Sequence, residues 1–271
     1  MQRILWLTDL HLNFLRYDEV ERFLDLLAAE SPSAVLIGGD IAEAHDVGRY
    51  LERLDDRLHV PIYFVLGNHD FYFGSLRRVR QRLAELCRER PNLVYLTTSP
   101  AVELAPGVAL VGHDGWADGR LGSYETSLVM MNDYRLIEEL AGMTKLERWP
   151  LLKKLADEAA AHIRETLPAA LATHPKAFVL THVPPFREAC WHEGQISDNQ
   201  WLPHFTCRAL GDALLEIANR HPDRQITVLC GHTHGRGQVK LRDNLLVLTG
   251  GAVYGEPEVQ RVFELADSPG R

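Results

Sequence analysis

The sequence predicts an α/β protein on two observations. Several apolar runs have the length and composition of buried β-strands, and each ends abruptly in a polar cluster; they cover residues 4–8, 34–37, 62–66, 177–180 and 226–230. In the first half of the chain, stretches with helical spacing of apolar residues alternate with these runs, at 18–30, 47–58 and 76–88. Such strand–helix–strand repetition predicts parallel strands with the helices packed on a face of the sheet.

The remaining elements follow the same patterns. Three short strands are predicted at 93–96, 101–104 and 108–111; their close succession predicts antiparallel pairing at the far edge of the first sheet. Two helical stretches are predicted around 128–140 and at 151–171, the second opening at Pro150, a residue favoured in a first helical turn. A long polar and aromatic loop at 184–206 precedes a helix at 208–219, and the last strands are predicted at 238–241, 245–248 and 259–264.

No internal repeat or linker divides the 271 residues, so one domain spanning 1–271 is the simplest expectation. Residues 117–176 interrupt the strand pattern, and we expect them to form a helical insertion that caps the active-site cleft. The loop at 186–206 is a second candidate for a lid or specificity loop because it is long and aromatic.

Composition limits the partners and the location. The formal net charge of −8 argues against nonspecific binding to nucleic acid or anionic lipid, so a stable nucleic-acid partner is not expected. No run reaches the ~18 apolar residues that a membrane span needs, and Asp9 and His11 interrupt the N-terminal run before it resembles a signal peptide. A cytoplasmic location is expected by default. The four cysteines lack a CxxC pair and are predicted to be reduced; the oligomeric state stays open.

The polar clusters predict a metal centre, because burying so many carboxylates and imidazoles together is costly without a compensating charge. The candidate donors are Asp9, His11, Asp40, Asn68, His182, His232 and His234. Mixed oxygen and imidazole donors suit Mn, Fe, Zn or Ni, with Mn favoured for assays. Residues at i and i+2 of an extended strand share one face, so each such pair can approach the same centre. Seven donors are too many for one tetrahedral zinc and fit two divalent ions with open positions.

These clusters closely resemble the motifs of the calcineurin-like metallophosphoesterases. The matching segments are Asp9-Leu10-His11, Gly38-Gly39-Asp40, Gly67-Asn68-His69-Asp70, Thr181-His182 and Gly231-His232-Thr233-His234. The resemblance implies a four-layer α/β/β/α sandwich of two mixed sheets, with helices on the outer faces and two metal ions at the carboxyl ends of the strands. It also implies that Asp9, His11 and His234 hold one ion with a bridging Asp40. Asn68, His182 and His232 would hold the second ion.

The predicted function is dinuclear metal-dependent phosphoester hydrolysis, in which a metal-bridging hydroxide attacks a small phosphomonoester or phosphodiester in line. The resemblance implies that His69 contacts the phosphate and protonates the leaving group, a task that suits an imidazole. Asp70 is predicted to orient that imidazole or support a ligand, although capping the next helix is an equally open interpretation. The alternatives are a nuclease, against which the acidic balance counts, and a non-catalytic interaction scaffold, against which the retained ligands count.

Substrate contacts are predicted from position. His113, Asp114 and Trp116 follow the strand at 108–111, at a strand end where site residues gather. Phe71 and Tyr72 follow the Asn68-His69 motif and are candidates for the pocket mouth; packing of the next helix is the competing interpretation for both rings.

Overall fold

A computed structural model describes residues 1–266. The strands are β1 (Gln2–Leu7), β2 (Ala34–Gly38), β3 (Ile62–Val65), β4 (Leu93–Tyr95), β5 (Val102–Ala105), β6 (Val108–His113), β7 (Lys176–Thr181), β8 (Trp191–His192), β9 (Gln195–Ile196), β10 (Gln225–Cys230), β11 (Gly237–Arg242), β12 (Leu245–Thr249) and β13 (Arg261–Leu265). The helices are α1 (Tyr17–Ala29), α2 (Val47–Leu58), α3 (Leu76–Glu89), α4 (Asp133–Leu136), α5 (Lys145–Thr173), α6 (Leu202–Phe205) and α7 (Arg208–Arg220).

Two mixed sheets form the centre of the molecule, as predicted. The first has the order β13-β1-β2-β3-β4, in which only β13 runs antiparallel to its neighbour. The second has the order β11-β12-β10-β7-β6-β5, with parallel strands flanked by antiparallel β11 and β5. A short β8–β9 hairpin lies apart from both.

Alternation along the strands builds the four layers. In β1, Leu5 and Leu7 belong to the core cluster beneath α1 and α2, whereas Ile4 and Trp6 belong to the cluster between the two sheets. A third cluster joins α5 and α7 to the outer face of the second sheet. Because successive side chains of a strand point to opposite faces, each sheet is covered by helices on one face and by the other sheet on the other.

Two predictions about the edges of the sheets are wrong. Strand β4 is the edge of the first sheet, but it pairs parallel with β3. Strands β5 and β6 form an antiparallel hairpin, as predicted, but β6 pairs with β7 and so belongs to the second sheet. The sequence pattern of three short successive strands does not reveal that the chain leaves the first sheet after β4 and enters the second at β5.

The segment 117–176 contains less helix at its start and more at its end than predicted. The helix expected around 128–140 is limited to α4. Helix α5 begins before Pro150, because Thr144 and Glu147 form a reciprocal capping box at its start. Helix α5 packs on the second sheet and on α7, so it forms part of an outer layer. The capping role of 117–176 stays a prediction; Asp133 contacts Asn68 of the candidate site, and Met131 lines the cleft beside it.

Two further features concern the chain as a whole. Among residues 1–266, no helix combines the length and the apolar character that crossing a membrane requires. Cys87, Cys190, Cys207 and Cys230 are free thiols, and the last three are buried.

Candidate metal centre

The candidate ligands lie where the carboxyl ends of the central strands meet. The turns after β1, β2 and β10 carry Asp9, His11, Asp40, His232 and His234, all of which have positive φ angles between 44° and 71°. They make up five of the nine non-glycine residues with positive φ in residues 1–266. Left-handed backbone is unfavourable for such residues and concentrates at functional sites, where the surrounding structure enforces it.

Two glycines allow these turns to approach one another. A Cβ atom at Gly67 would collide with the carboxylate of Asp40, and one at Gly231 would collide with the carboxylate of Asp9. Only glycine leaves this space open, which explains its position before Asn68 and before His232.

The first group of ligands, here the Asp9 cluster, comprises Asp9, His11 and His234. The Nε2 atoms of His11 and His234 lie 3.1 Å apart, and Asp9 Oδ1 lies 3.5 Å from His234 Nε2. With Asp40, these residues offer ligand atoms that all lie within 4.8 Å of one another. The grouping and spacing fit a single cation between them.

The second group, here the Asn68 cluster, comprises Asn68, His182 and His232. Asn68 Oδ1 lies 3.1 Å from His182 Nε2 and 2.9 Å from His232 Nδ1, and the two ring nitrogens are 3.2 Å apart. His182 Nδ1 and His232 Nε2 are occupied by the backbone carbonyls of Gly38 and His204, at 2.8 and 3.0 Å. A histidine that donates through one ring nitrogen presents a lone pair at the other, which is the form that binds a metal.

Asp40 lies between the two clusters. Its Oδ2 atom is 3.4 Å from His182 Nε2 and 3.8 Å from His11 Nε2, while its Oδ1 accepts the backbone N–H of His69 at 2.8 Å. A carboxylate in this position can serve both clusters at once because each oxygen carries more than one lone pair.

The pKa shifts separate an Asp40–His182 pair that favours its charged forms from neighbouring imidazoles that stay neutral. Burial lowers the pKa of His182, but Asp40 outweighs burial and raises it to about 10. Burial raises the pKa of Asp40, yet the histidines around it hold that pKa well below its usual range. Burial lowers the pKa of both His11 and His232 to about 3, which keeps these imidazoles neutral and able to bind a metal. The donor set therefore fits divalent cations.

Hydrogen bonds to Asp133 and Tyr72 set the orientation of the Asn68 side chain. Its Nδ2 donates to Asp133 Oδ1 at 2.9 Å and to the Tyr72 hydroxyl at 3.0 Å, and that hydroxyl donates to Asp133 at 2.7 Å. This leaves Oδ1 of Asn68 facing the histidines. Asp133 was missed, because it stands 65 residues away in a stretch without strand periodicity. Tyr72, predicted as a substrate contact, is buried and acts on Asn68 instead.

His69 and Asp70 occupy different environments. The ring of His69 lies 4.5 Å from that of His11 and 4.2 Å from that of Tyr72, at the edge of the cleft. Asp70 is fully buried and accepts the backbone N–H groups of Ile41, Ala42 and Gly67 at 2.8–2.9 Å. Asp70 thus ties the turn that carries Asp40 to the turn that carries Asn68.

These contacts correct two of the three interpretations of Asp70, orientation of His69 and capping of the next helix, whereas support of a ligand agrees with them. Its carboxylate oxygens hold backbone amides, so it does not orient His69 through them. The helix cap belongs to Ser75, whose Oγ accepts from Arg78 N.

Three other predicted substrate contacts lie away from the open cleft. Asp114 is fully buried and accepts Arg80 Nε at 3.0 Å and the hydroxyls of Tyr95 and Thr97, each at 2.7 Å. His113 is buried against His162 of α5, with its Nδ1 accepting from Gly115 N. The expectation that both face substrate is therefore corrected.

Trp116 is also buried, but it lies near the centre. It lines a small cavity behind the Asn68 cluster, together with Asn68, His182 and Asp133. Its position favours a packing role on the interior side of the ligands.

A cleft of about 230 Å³ opens on the other side. His69 and His234 line it with Tyr254, Phe205 and His192, the last two from the predicted loop at 186–206. Neither Tyr254 nor the His204 carbonyl was anticipated, because the loop that carries Tyr254 and the four-residue helix α6 that carries His204 are too irregular or too short for a periodic pattern.

Comparison with known proteins agrees with this geometry. The family model of the calcineurin-like phosphoesterases matches residues 2–236. The chain is similar in fold to the phosphopantetheinyl hydrolase of Mycobacterium tuberculosis, with 16% identity, a TM-score of 0.62, and coverage of 94% of this chain and 90% of the other. It is also similar to a dimetal phosphatase from Danio rerio, with 16% identity, a TM-score of 0.58, and coverage of 94% and 89%. No curated protein sequence matches the chain.

The family match covers most of the chain and all of the motifs at the strand ends. The group formed by buried Asp9, His11 and Asp40 with partly exposed His234 is consistent with divalent metal binding. The chain belongs to the calcineurin-like phosphoesterase family and is a metal-dependent phosphoesterase.

Proposed function

We propose that this chain hydrolyses small phosphomonoesters or phosphodiesters with two divalent ions. Asp9, His11 and His234 would hold one ion, Asn68, His182 and His232 would hold the other, and Asp40 would be shared. The observation that carries this proposal is the convergence of three possible ligand atoms in the Asn68 cluster, within 3.2 Å of one another and beside Asp40. In the metal-free protein a proton on His182 offsets the repulsion among these atoms, and a divalent cation that displaces this proton can take all three as ligands.

When bound, the two ions would supply an activated water as nucleophile and neutralise the charge that develops on the phosphoryl oxygens. The protein fixes the donors before binding, because the ring orientations of His182 and His232 are already set by backbone carbonyls. Asp70 fixes the separation of Asp40 and Asn68 through three backbone amides.

His69 is the proposed general acid. Its backbone N–H is anchored on Asp40, which keeps the residue beside both clusters, and its ring lies between His11 and Tyr72 at the edge of the cleft. An imidazole there is placed to donate a proton to the departing oxygen of the substrate.

The size and charge of the site support a small substrate. The cleft of about 230 Å³ has room for a phosphoryl group with a modest substituent. The net charge of −8 disfavours a polyanionic nucleic acid. We propose Mn²⁺ as the first ion to test, because the mixed oxygen and imidazole donor set suits it.

The proposal is tested with p-nitrophenyl phosphate and bis-p-nitrophenyl phosphate as substrates for the Mn²⁺-loaded protein. We expect turnover of at least one substrate, loss of turnover after chelation, and recovery after Mn²⁺ is restored. Two bound ions per chain without turnover of either substrate, or of a panel of phosphorylated metabolites, would contradict the proposed activity.

A further inference from the structure

Two exposed aromatic rings stand at the open side of the Asp9 cluster. Tyr254, in the loop between β12 and β13, has its ring centroid 4.5 Å from that of His11 and 5.0 Å from that of His234. Phe14 follows His11 in a short 3-10 turn, and its ring lies 4.9 Å from that of Tyr254. We call Phe14 and Tyr254 the aromatic pair.

Both rings of the aromatic pair are about half exposed, although aromatic side chains are often buried in folded proteins. Phe14 is 54% exposed and Tyr254 is 48% exposed. By contrast, Tyr72, which lies on another side of His69, is only 4% exposed and is held by Asn68 and Asp133. Aromatic side chains bury a large apolar area when they are covered. A ligand that covered this exposed pair at the rim of the site would therefore gain binding energy from that burial.

The position of the pair relative to His69 indicates which part of a substrate it would meet. The ring of Tyr254 lies 6.1 Å from that of His69, and both residues line the cleft. A leaving group that lies in this cleft and accepts a proton from His69 would be close to Tyr254. Atoms beyond the departing oxygen would then lie against the aromatic pair.

We propose that the aromatic pair is a specificity subsite that binds a planar aromatic or heteroaromatic ring in the leaving group of the substrate. This inference rests on the proposed function, since it assumes that the phosphoryl group lies at the two clusters. It narrows the substrate class to phosphoesters with an aryl or heteroaryl substituent near the scissile bond. Offset or edge-to-face packing on Tyr254 and Phe14 would supply the preference.

The test compares the binding of phenylphosphonate and methylphosphonate to the Mn²⁺-loaded protein by calorimetry. Both ligands carry the same charged head, so their affinity ratio isolates the contribution of the ring. We expect the wild-type protein to prefer phenylphosphonate by about 5- to 20-fold, the range that one or two aromatic contacts provide. The F14A/Y254A double variant should reduce this ratio to within about 2-fold of unity, less than a single aromatic contact gives.

Two controls make the result specific. Tyr254→Phe keeps the ring and should keep most of the preference. Tyr17→Ala removes an aromatic ring that is 74% exposed on α1, and it should leave the preference unchanged. A wild-type preference that survives in F14A/Y254A, or no preference in the wild type, would overturn the subsite. Failure of both phosphonates to bind the Mn²⁺-loaded wild type would instead contradict the proposed function.

Discussion

The two ligand clusters share Asp40, but the protein supports them differently. Every member of the Asn68 cluster has a second partner: Asn68 has Asp133 and Tyr72, and its two histidines have backbone carbonyls. In the Asp9 cluster, Asp9 is held by Thr8 Oγ1 and His232 N. Within the described residues 1–266, however, His11 Nδ1 is buried without a hydrogen-bond partner.

Exposure separates the clusters further. The side chain of His234 is 23% exposed, whereas that of His182 is 1% exposed. Partners that fix a ligand raise metal affinity, and openness gives access to substrate and solvent. The comparison therefore predicts a preorganised Asn68 cluster that retains its ion and a more open Asp9 cluster that exchanges its ion first.

The largest effect is expected where the clusters join. Asp40→Ala removes the ligand that both share, so we expect turnover below about 0.1% of the wild type, a greater loss than the 10- to 100-fold typical of a partner around the ligands. Metal content after gel filtration should fall at both clusters. Asp243→Ala, at a fully exposed carboxylate, is the matched control and should change neither quantity. Retention of two ions by Asp40→Ala would contradict the shared role.

A loss of about 10²- to 10⁴-fold in turnover is expected for His69→Ala, because the variant lacks the proposed general acid. Both clusters keep their ligands, so metal content should stay at the wild-type value. The loss should be larger for alkyl phosphates than for p-nitrophenyl phosphate, whose leaving group needs little protonation. An equal loss for both substrates would argue against proton donation by His69.

An asymmetric effect is expected for Asp133→Leu, which removes the acceptor that orients Asn68. Affinity for the ion of the Asn68 cluster should fall by about 10- to 100-fold, while the ion of the Asp9 cluster keeps its affinity. The control is Arg135→Leu, an exposed change in the same helix α4. Calorimetric titration with Mn²⁺ measures both sites, and an equal fall at both would remove the distinction between the clusters.

The smallest effect concerns protons. The pKa of His182 is raised to about 10, so at pH 8 the metal-free Asn68 cluster carries a proton that its ion must displace. The pKa of His11 is lowered to about 3, so the Asp9 cluster has no such proton to release from this residue. Affinity of the Asn68 cluster should therefore rise about tenfold between pH 7 and 8.

Titrations at pH 8 in buffers of different ionisation enthalpy measure the protons released. About one proton should accompany the ion of the Asn68 cluster, and fewer should accompany the ion of the Asp9 cluster. Equal release at both would mean that His182 is not protonated in the metal-free protein.

The sequence predicted the strands and the candidate ligands because both signals are local. Apolar runs followed by Asp, Asn or His stand in adjacent residues, and the approach of parallel strand ends brings them together. Asp133 and the His204 carbonyl were not predicted, since their contacts with Asn68 and His232 join residues far apart in sequence.

The same strand-end reasoning misplaced His113 and Asp114. An apolar run predicts where strand β6 ends, but it does not predict the direction in which the chain turns after that strand. Here the turn buries Asp114 among Arg80, Tyr95 and Thr97, where an ion pair and hydrogen bonds satisfy the carboxylate. A buried partner for a carboxylate is a long-range property that strand periodicity does not encode.

Electron paramagnetic resonance of the Mn²⁺-loaded protein tests most directly whether the clusters form one dinuclear centre. Two ions that share the Asp40 carboxylate should be magnetically coupled, giving the broad, temperature-dependent spectrum of an exchange-coupled pair with two Mn²⁺ per chain. Asp133→Leu protein at limiting Mn²⁺ should instead show an isolated ion. A spectrum of uncoupled Mn²⁺ from the fully loaded wild type, or a single ion per chain, would contradict the shared centre.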